Sequence, residues 1–211
     1  MTHTIPTFGS GRTLMHLNTT AADKLYLSAA LATQTLLAQR DQGLLSCSEY
    51  AHHLRTLHIA TDKRLIADCQ SGFGNPLNTY YAAQELERSG GDILLISDQQ
   101  YPAHTTDAPA ITTDEDYLGK LQAALDARDN PQTEVWAHLE GLPTAGLDAT
   151  LAKMTWLERL PIHAIVLDHW QIADLDAIAQ HGSTLPLIAT GTPGTHLPDT
   201  FAATLATETE E

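Results

Sequence analysis

Short, almost wholly apolar segments alternate along this chain with stretches of helical periodicity. Residues 93–96 and 164–167 contain no polar side chain at all. Continuous apolar runs of this length are typical of strands covered on both faces, which is the usual situation in a parallel sheet. On this basis we predict seven strands, at residues 13–17, 24–28, 64–68, 92–97, 134–138, 163–168 and 186–190.

The segments between these strands carry the signals of helices. Thr112 and Glu115 form a capping-box pair, and Tyr117, Leu121 and Leu125 follow at the spacing of one helix face. Alternation of strand and helix predicts βα units around a parallel sheet. Because the chain has about seven strands and no glycine-rich dinucleotide fingerprint, an α/β fold of the TIM-type (β/α) barrel kind is favoured over a doubly wound sheet.

The predicted barrel lacks two of its usual parts. Only six residues separate the strands predicted at 13–17 and 24–28, which is too few for the first barrel helix. About twenty residues follow the last predicted strand, so the eighth strand is also expected to be missing. An incomplete barrel has open strand edges that need a cover. We expect a homodimer to provide it, with the folding of residues 1–11 over the gap as the alternative.

The chain shows no linker and no internal repeat. We therefore predict one barrel domain over residues 1–205 and a frayed acidic tail over residues 206–211. The two cysteines have no CxxC or metal-ligand spacing, and they suit a reducing compartment. No apolar run approaches membrane-spanning length. The expected location is the cytoplasm.

Charge narrows the range of partners. The net charge is -15, from 26 acidic and 11 basic residues. Nucleic-acid phosphates and anionic membrane surfaces both attract lysine and arginine, so neither nucleic acid nor a membrane is an expected partner. A small anionic substrate remains compatible with this charge where a metal ion or a local basic group offsets the negative field.

Polar residues end, or directly follow, four successive predicted strands. Parallel β/α folds place their sites at the carboxyl ends of the strands, where such side chains converge. A single polar strand end is as often a solvent-facing edge, but recurrence on four strands favours a common site. The residues that this rule selects are Asp68, Ser97 with Asp98, His138 with Glu140, and Asp168 with His169.

Five segments resemble motifs of the isocitrate lyase / phosphoenolpyruvate mutase superfamily. They are residues 40–46, 65–78, 84–91, 96–99 and 137–141, and they follow one another in the family's order. The chain is identified by this resemblance as a shortened and divergent member. The resemblance implies a TIM-type barrel, an Mg²⁺ cofactor, and a small α-keto or phosphono acid as the substrate.

The resemblance also implies a set of metal ligands, because the family binds Mg²⁺ with carboxylates. Asp68 matches the first of them and Asp98 matches a retained acid, but Gln70 replaces the second carboxylate and Ser97 replaces a glutamate. Asp68, Asp98 and Gln70 are therefore candidate ligands, and Mg²⁺ binding is expected to be weak or lost. Gln70→Asp with Ser97→Glu should strengthen it if the geometry of the site is retained.

The resemblance assigns substrate contacts to the same mouth. His138 replaces an arginine that grips the substrate carboxylate or phosphonate, and imidazole offers fewer donors and a pH-dependent charge. Ser28, Glu140 and Asp168 are further candidate substrate-binding residues. Asp41 matches an acid that mutases of the family use near the transferred group, so it is the candidate catalytic residue.

Two hypotheses about activity stay open. Residues 100–106 stand where the family's lyases carry a Lys-Arg-Cys-Gly-His loop with a proton-donating cysteine, and no cysteine is present there. The first hypothesis is an enzyme of the C–C lyase or P–C phosphonomutase type that acts on a small α-keto or phosphono acid. The alternative is a catalytically inactive homologue that serves as a binding or assembly module.

Overall fold

The structure, a computed structural model, describes residues 3–207. Nine parallel strands form one sheet in the order β1-β9-β8-β7-β6-β5-β4-β3-β2. The strands are β1 (His3–Ile5), β2 (Thr7–Phe8), β3 (Lys24–Leu27), β4 (Arg64–Asp68), β5 (Ile93–Ser97), β6 (Glu134–Leu139), β7 (Ala164–Leu167), β8 (Leu187–Gly191) and β9 (Phe201–Ala206).

Helices connect most of these strands, as the parallel pairing requires. They are α1 (Gly11–Leu17), α2 (Ala29–Leu37), α3 (Cys47–His58), α4 (Pro76–Arg88), α5 (Asp114–Ala127), α6 (Leu142–Ala145), α7 (Leu147–Leu157) and α8 (Ile172–His181), with a 3₁₀ turn at Gln42–Leu44. Within residues 3–207, no helix combines the length and the apolar character needed to cross a bilayer. The predicted α/β barrel is confirmed.

The N-terminal segment closes the barrel. β1 and β2 lie on either side of Pro6; β1 pairs with β9, and β2 pairs with β3. The carbonyl of Pro6 accepts a hydrogen bond from the backbone N–H of Tyr26 at 2.9 Å, which keeps the ladder continuous across the proline. Counted as one strand, β1 and β2 make the barrel eight-stranded. Residues 3–8 thus fill the gap. This agrees with the alternative prediction, in which the N-terminal residues and not a second subunit cover the open edges.

The prediction of a strand at residues 13–17 is wrong, and so is the prediction that the first barrel helix is missing. These residues belong to α1, whose N-cap is Ser10; its hydroxyl accepts a hydrogen bond from the backbone N–H of Thr13. Leu14 is buried and Met15 is 71% exposed, which is the one-sided burial of a helix. The capping serine, rather than the apolar content, decided the local structure.

The prediction that the eighth strand is missing is also wrong. Residues of β9 pair in parallel with β8 on one side and with β1 on the other. β9 includes Ala206, which the sequence assigned to the tail, and residues 208–211 lie outside the described part of the chain. With both neighbours in place, the open edges that motivated a covering dimer are paired.

Two clusters of buried side chains lie on opposite faces of the sheet. One packs between the strands and the helices, and its members include Leu65 and Ala67 of β4. The other fills the barrel, and it takes Ile66 from the same strand. Because successive residues of a strand point to opposite faces, Asp68 at the end of β4 faces the barrel interior with Ile66.

Candidate active site at the carboxyl ends of the strands

Strand periodicity explains why several polar side chains share one mouth of the barrel. On β6, Trp136 belongs to the cluster inside the barrel, so His138 two residues later also points inward, and Glu140 follows it just beyond the strand. On β7, Val166 points inward and Asp168 follows in the same direction. The predicted convergence at the carboxyl ends therefore arises from the alternation of side chains along each strand.

These side chains line an open cavity of about 520 Å³. Its acidic and imidazole lining consists of four carboxylates and three imidazoles, from Asp68, Asp107, Glu140, Asp168, His104, His138 and His169. Among the residues that the structure describes, no lysine or arginine lines it. A small anion in this cavity would need a cation that is bound there or a proton carried by an imidazole.

His138, Glu140 and Asp168 form the centre of this cavity. His138 Nε2 lies 3.5 Å from Asp168 Oδ2, and His138 Nδ1 lies 3.8 Å from Glu140 Oε2. One potential ligand atom from each residue lies within 4.8 Å of the others, so the three side chains could hold a metal ion. Nε2 of His138 is buried and has no hydrogen-bond partner in the part of the chain that the structure describes.

The three groups perturb one another electrostatically. Burial alone would lower the pKa of His138, but the carboxylates of Glu140 and Asp168 outweigh it and raise that pKa to about 9. Burial raises the pKa of Glu140. Burial also acts to raise the pKa of Asp168, but the nearby imidazole of His138 and a hydrogen bond from Thr190 hold it well below its usual range. The imidazole of His138 thus forms ion pairs with Asp168 and Glu140 at distances of 3.5 and 3.8 Å, which are too long for well-formed hydrogen bonds.

Glu140 is held in place by β5 and the residues after it. The hydroxyl of Ser97 donates to Glu140 Oε2, and the side-chain amide of Gln99 donates to the same oxygen at 3.0 Å. The backbone N–H of Glu140 donates to Asp98 Oδ1 at 2.9 Å. Ser97, at the position where the family has a glutamate, therefore serves here as a hydrogen-bond donor to a carboxylate of the next strand.

Asp68 lines the cavity, but the protein already satisfies much of its carboxylate. Oδ2 accepts hydrogen bonds from the hydroxyl of Tyr26 at 2.6 Å and from the backbone N–H of Ala29, the first residue of α2, at 2.9 Å. Oδ1 accepts one from the backbone N–H of Gln70 at 2.9 Å. A metal ion at Asp68 would have to share oxygens that hold β3, β4 and α2 together.

Gln70 and Asp98, the other two candidate metal ligands, point away from the cavity. The side-chain amide of Gln70 donates to the backbone carbonyls of Gln42 and Leu45 at 3.0 and 3.4 Å. Asp98 Oδ2 is paired with the buried ammonium of Lys153 at 2.8 Å. Mg²⁺ requires a near-octahedral set of oxygens, and the residues at the family's metal positions do not fit that requirement.

The structure separates the remaining candidates as well. Ser28 lines the cavity and caps α2, where its hydroxyl accepts from the backbone N–H of Leu31. Asp41 does not line the cavity; its carboxylate lies at the rim, 2.9 Å from Nδ1 of His104, which does line it. The structure therefore brings together Ser28, Asp68, His138, Glu140 and Asp168, and it leaves Asp41, Gln70 and Asp98 outside.

Sequence reasoning missed three residues that hold the acids at the strand ends. Thr190 ends a predicted strand and donates to Asp168 Oδ1 at 2.6 Å, so the strand-end rule could have selected it. Tyr26 and Lys153 lie within a strand and a helix, and no local pattern indicates that they meet Asp68 and Asp98.

Comparison with known proteins supports a relationship that the motifs suggested. No protein-family model matches the chain. Oxaloacetate decarboxylase of Rhodopseudomonas palustris (strain BisB5) is 30% identical over 172 residues, which are 81% of this chain and 59% of that protein. 2,3-Dimethylmalate lyase of Eubacterium barkeri is 30% identical over 134 residues, 62% of this chain and 46% of that protein. The chain thus spans 59% of the length of the first relative and less of the second.

Solved structures show the same fold at lower identity. A crystal structure of 2,3-dimethylmalate lyase, described as a PEP mutase/isocitrate lyase superfamily member, matches with a TM-score of 0.83 at 17% identity, over 97% of this chain and 73% of that one. Phosphonopyruvate hydrolase in complex with oxalate and Mg²⁺ matches with a TM-score of 0.83 at 19% identity, over 97% and 75%.

The closed strand order and the polar mouth define a β/α-barrel protein with a small-molecule cavity at the carboxyl ends of its strands. Within that class, the sequence relatives and the structural neighbours agree. The chain belongs to the isocitrate lyase / phosphoenolpyruvate mutase superfamily, as its motifs predicted.

Proposed function

We propose that the protein is a lyase that cleaves a carbon–carbon bond of a small anionic α-keto acid in the cavity at the barrel mouth. The observation that carries this proposal is the buried imidazole of His138, which lines the cavity between the carboxylates of Glu140 and Asp168 and whose Nε2 has no hydrogen-bond partner among residues 3–207. The two sequence relatives are named for a decarboxylase and a lyase, and both act on small dicarboxylic acids. Oxaloacetate is therefore the first substrate to test.

Cleavage of this kind leaves an electron pair on the carbon next to the keto group, and the resulting enolate oxygen must be stabilised. His138 is the group in the cavity that is placed to bind this oxygen or the neighbouring carboxylate. Thr190 and Asp168 orient it, because the threonine hydroxyl fixes Asp168 and Asp168 faces Nε2. Ser28, at the N-terminus of α2, lies in the same cavity and offers a second contact to the substrate.

Asp41 and His104 provide a route for the proton that the carbanion must receive. The family's lyases use a cysteine in the loop that here contains His104 and no cysteine. Nδ1 of His104 lies 2.9 Å from Asp41 Oδ2, so the carboxylate orients the imidazole and leaves Nε2 for the substrate. In this proposal His104 is the proton donor, and Asp41 is a positioning residue that acts through it.

The test is the release of pyruvate from oxaloacetate, followed with a coupled dehydrogenase and corrected for the rate in buffer with the same metal ions. We expect catalysis by the intact protein, and a loss of about 10²-fold or more for His104→Asn, the range for a general acid. His52→Ala on the exposed face of α3 is the matched control and should keep the activity. A folded protein that never exceeds the buffer rate with oxaloacetate contradicts the proposal.

One observation favours the inactive homologue instead. At the family's metal positions, Asp98 is paired with Lys153, Gln70 faces a loop, and Ser97 bonds Glu140. Under this alternative the cavity would bind oxalate, measured by calorimetry, without turnover of any acid tested.

We propose in either case that Mg²⁺ binds weakly. The homodimer and the cytoplasmic location also stay predictions, and sedimentation at micromolar concentration tests the first.

A further inference from the structure

We infer that His138, Glu140 and Asp168 form a binding site for a transition-metal dication that accepts imidazole nitrogen as a ligand, with Zn²⁺ as its representative. This site lies at the ends of β6 and β7 and not at the family's carboxylate positions. This inference goes beyond the proposed lyase activity, because it concerns binding alone and stands on the geometry of three side chains.

The spacing of the three side chains suits a first-row metal ion. Zinc lies about 2.0–2.2 Å from imidazole nitrogen and carboxylate oxygen, so two ligands of a tetrahedral ion are roughly 3.3–3.5 Å apart. His138 Nε2 and Asp168 Oδ2 are already 3.5 Å apart. Since one ligand atom of each residue lies within 4.8 Å of the others, the site needs only small side-chain rotations to close around an ion.

His138 shows the feature that a ligand would explain. Its side chain is 9% exposed, and its Nε2 has no hydrogen-bond partner within residues 3–207. Buried polar side-chain atoms almost always have a partner. Nε2 itself is buried, but its residue lines the open cavity, so the small side-chain rotations that close the site would also bring this atom to an ion that enters from solvent.

The surroundings anchor one oxygen of each carboxylate, as expected of residues that orient metal ligands. Asp168 Oδ1 accepts hydrogen bonds from Thr190 Oγ1 at 2.6 Å and from the backbone N–H of His169 at 2.7 Å, while Oδ2 faces His138. Glu140 Oε2 accepts from Ser97 and from Gln99. These bonds fix the two carboxylates before any ion arrives.

The donor set selects the kind of ion. Mg²⁺ prefers six oxygens in near-ideal octahedral geometry and dehydrates reluctantly, whereas imidazole nitrogen suits zinc, cobalt, nickel and iron. His169 adds a further imidazole, with Nε2 4.0 Å from Glu140 Oε1, and it is a candidate fourth ligand. With a dication bound, Nε2 of His138 would be a ligand, and the ion in place of the imidazole would supply the positive charge for an anionic substrate in a cavity that no lysine or arginine of residues 3–207 lines.

The experiment is calorimetry on the full chain after removal of metal ions by a chelator, with Zn²⁺ and Mg²⁺ titrated separately. We expect one Zn²⁺ per chain with micromolar or tighter Kd, and Mg²⁺ binding weaker by about 100-fold or more. His138→Ala and Asp168→Asn should each weaken Zn²⁺ binding by at least about tenfold. His52→Ala removes an exposed imidazole and should leave the affinity unchanged.

A second measurement keeps the inference testable if His138→Ala does not fold. Co²⁺ bound to the intact protein should give the intense visible absorption of a low-coordinate nitrogen and oxygen site, and Asp168→Asn should lose it. Two results would overturn the inference: no saturable Zn²⁺ binding by the folded protein, or binding that both variants retain, which would place the ion at other histidines. Because no substrate is present, an inactive protein that binds Zn²⁺ counts against the lyase proposal alone.

Discussion

The two halves of the barrel mouth differ in how the protein treats its acids. On the β4–β5 side, Asp68 accepts three hydrogen bonds from the protein and Asp98 is paired with Lys153. On the β6–β7 side, His138 and Asp168 face each other at 3.5 Å, and Nε2 of the imidazole is left without a hydrogen bond in the described chain. An acid at a strand end can therefore be held by structural contacts, while the imidazole and carboxylate that face each other in the cavity lie on the neighbouring strands.

The largest expected effect on stability concerns the β4–β5 side of the mouth, where Asp98 is paired with Lys153. Lys153 and Asp98 have side chains 7% and 2% exposed, so Lys153→Met leaves a buried carboxylate without its cation. We expect the free energy of unfolding, measured with urea, to fall by about 3–5 kcal/mol. Arg88→Met, which breaks an exposed pair with Asp129, is the control and should change it far less. A small effect for Lys153→Met would show that Asp98 does not depend on this pair and would remove half of the comparison.

The next effect separates Asp68 from Asp168. Asp68→Asn turns an amide N–H toward donors that now meet a carboxylate, so we expect a loss of about 1–3 kcal/mol in the free energy of unfolding. Zn²⁺ affinity should stay unchanged, whereas Asp168→Asn should show the opposite pattern. Asp62→Asn, at an exposed position before β4, controls for the change of charge. If Asp68→Asn abolishes Zn²⁺ binding, the two halves act as one site.

The fold could be predicted where the signal is local. The apolar run of β5 predicts a buried strand, and the structure has one. β1 has only three residues, and it pairs with β9 from the opposite end of the chain, so no local pattern predicts either strand. Residues of α1 were misassigned because Leu14 and Leu17 fit a strand as well as a helix, and the cap at Ser10 decided between them.

The candidate site could be predicted only as a set of residues near one mouth. The strand-end rule selects Asp68 and Asp98 as readily as His138, because it reads position along the chain. Their roles depend on partners that are 42 and 55 residues distant in sequence, Tyr26 and Lys153. Long-range packing therefore decides which acid is neutralised, and no spacing in the sequence encodes it.

A smaller effect tests how Asp168 is oriented on the β6–β7 side of the barrel mouth. Thr190→Val keeps the volume and removes the hydrogen bond to Asp168 Oδ1. We expect a loss of about 1 kcal/mol in the free energy of unfolding and a fall of roughly 10–100-fold in Zn²⁺ affinity. Thr56→Val on the exposed side of α3 is the matched control. Unchanged affinity would mean that Asp168 is held by other contacts.

The smallest expected effect concerns Mg²⁺ binding by the variant Gln70→Asp with Ser97→Glu. Gln70→Asp removes the amide that donates to the carbonyls of Gln42 and Leu45, and Ser97→Glu places a second acid beside Glu140 in place of a donor. We therefore expect that the double variant does not retain the geometry on which the gain in Mg²⁺ affinity depends. We expect calorimetry to show no gain in Mg²⁺ affinity, because the new carboxylates enter a network built for amide and hydroxyl groups. A tenfold gain in Mg²⁺ affinity, about 1.4 kcal/mol, would show instead that the β4–β5 half still has the geometry of a metal site. The two halves would then differ in the residues at two positions and not in their backbone geometry.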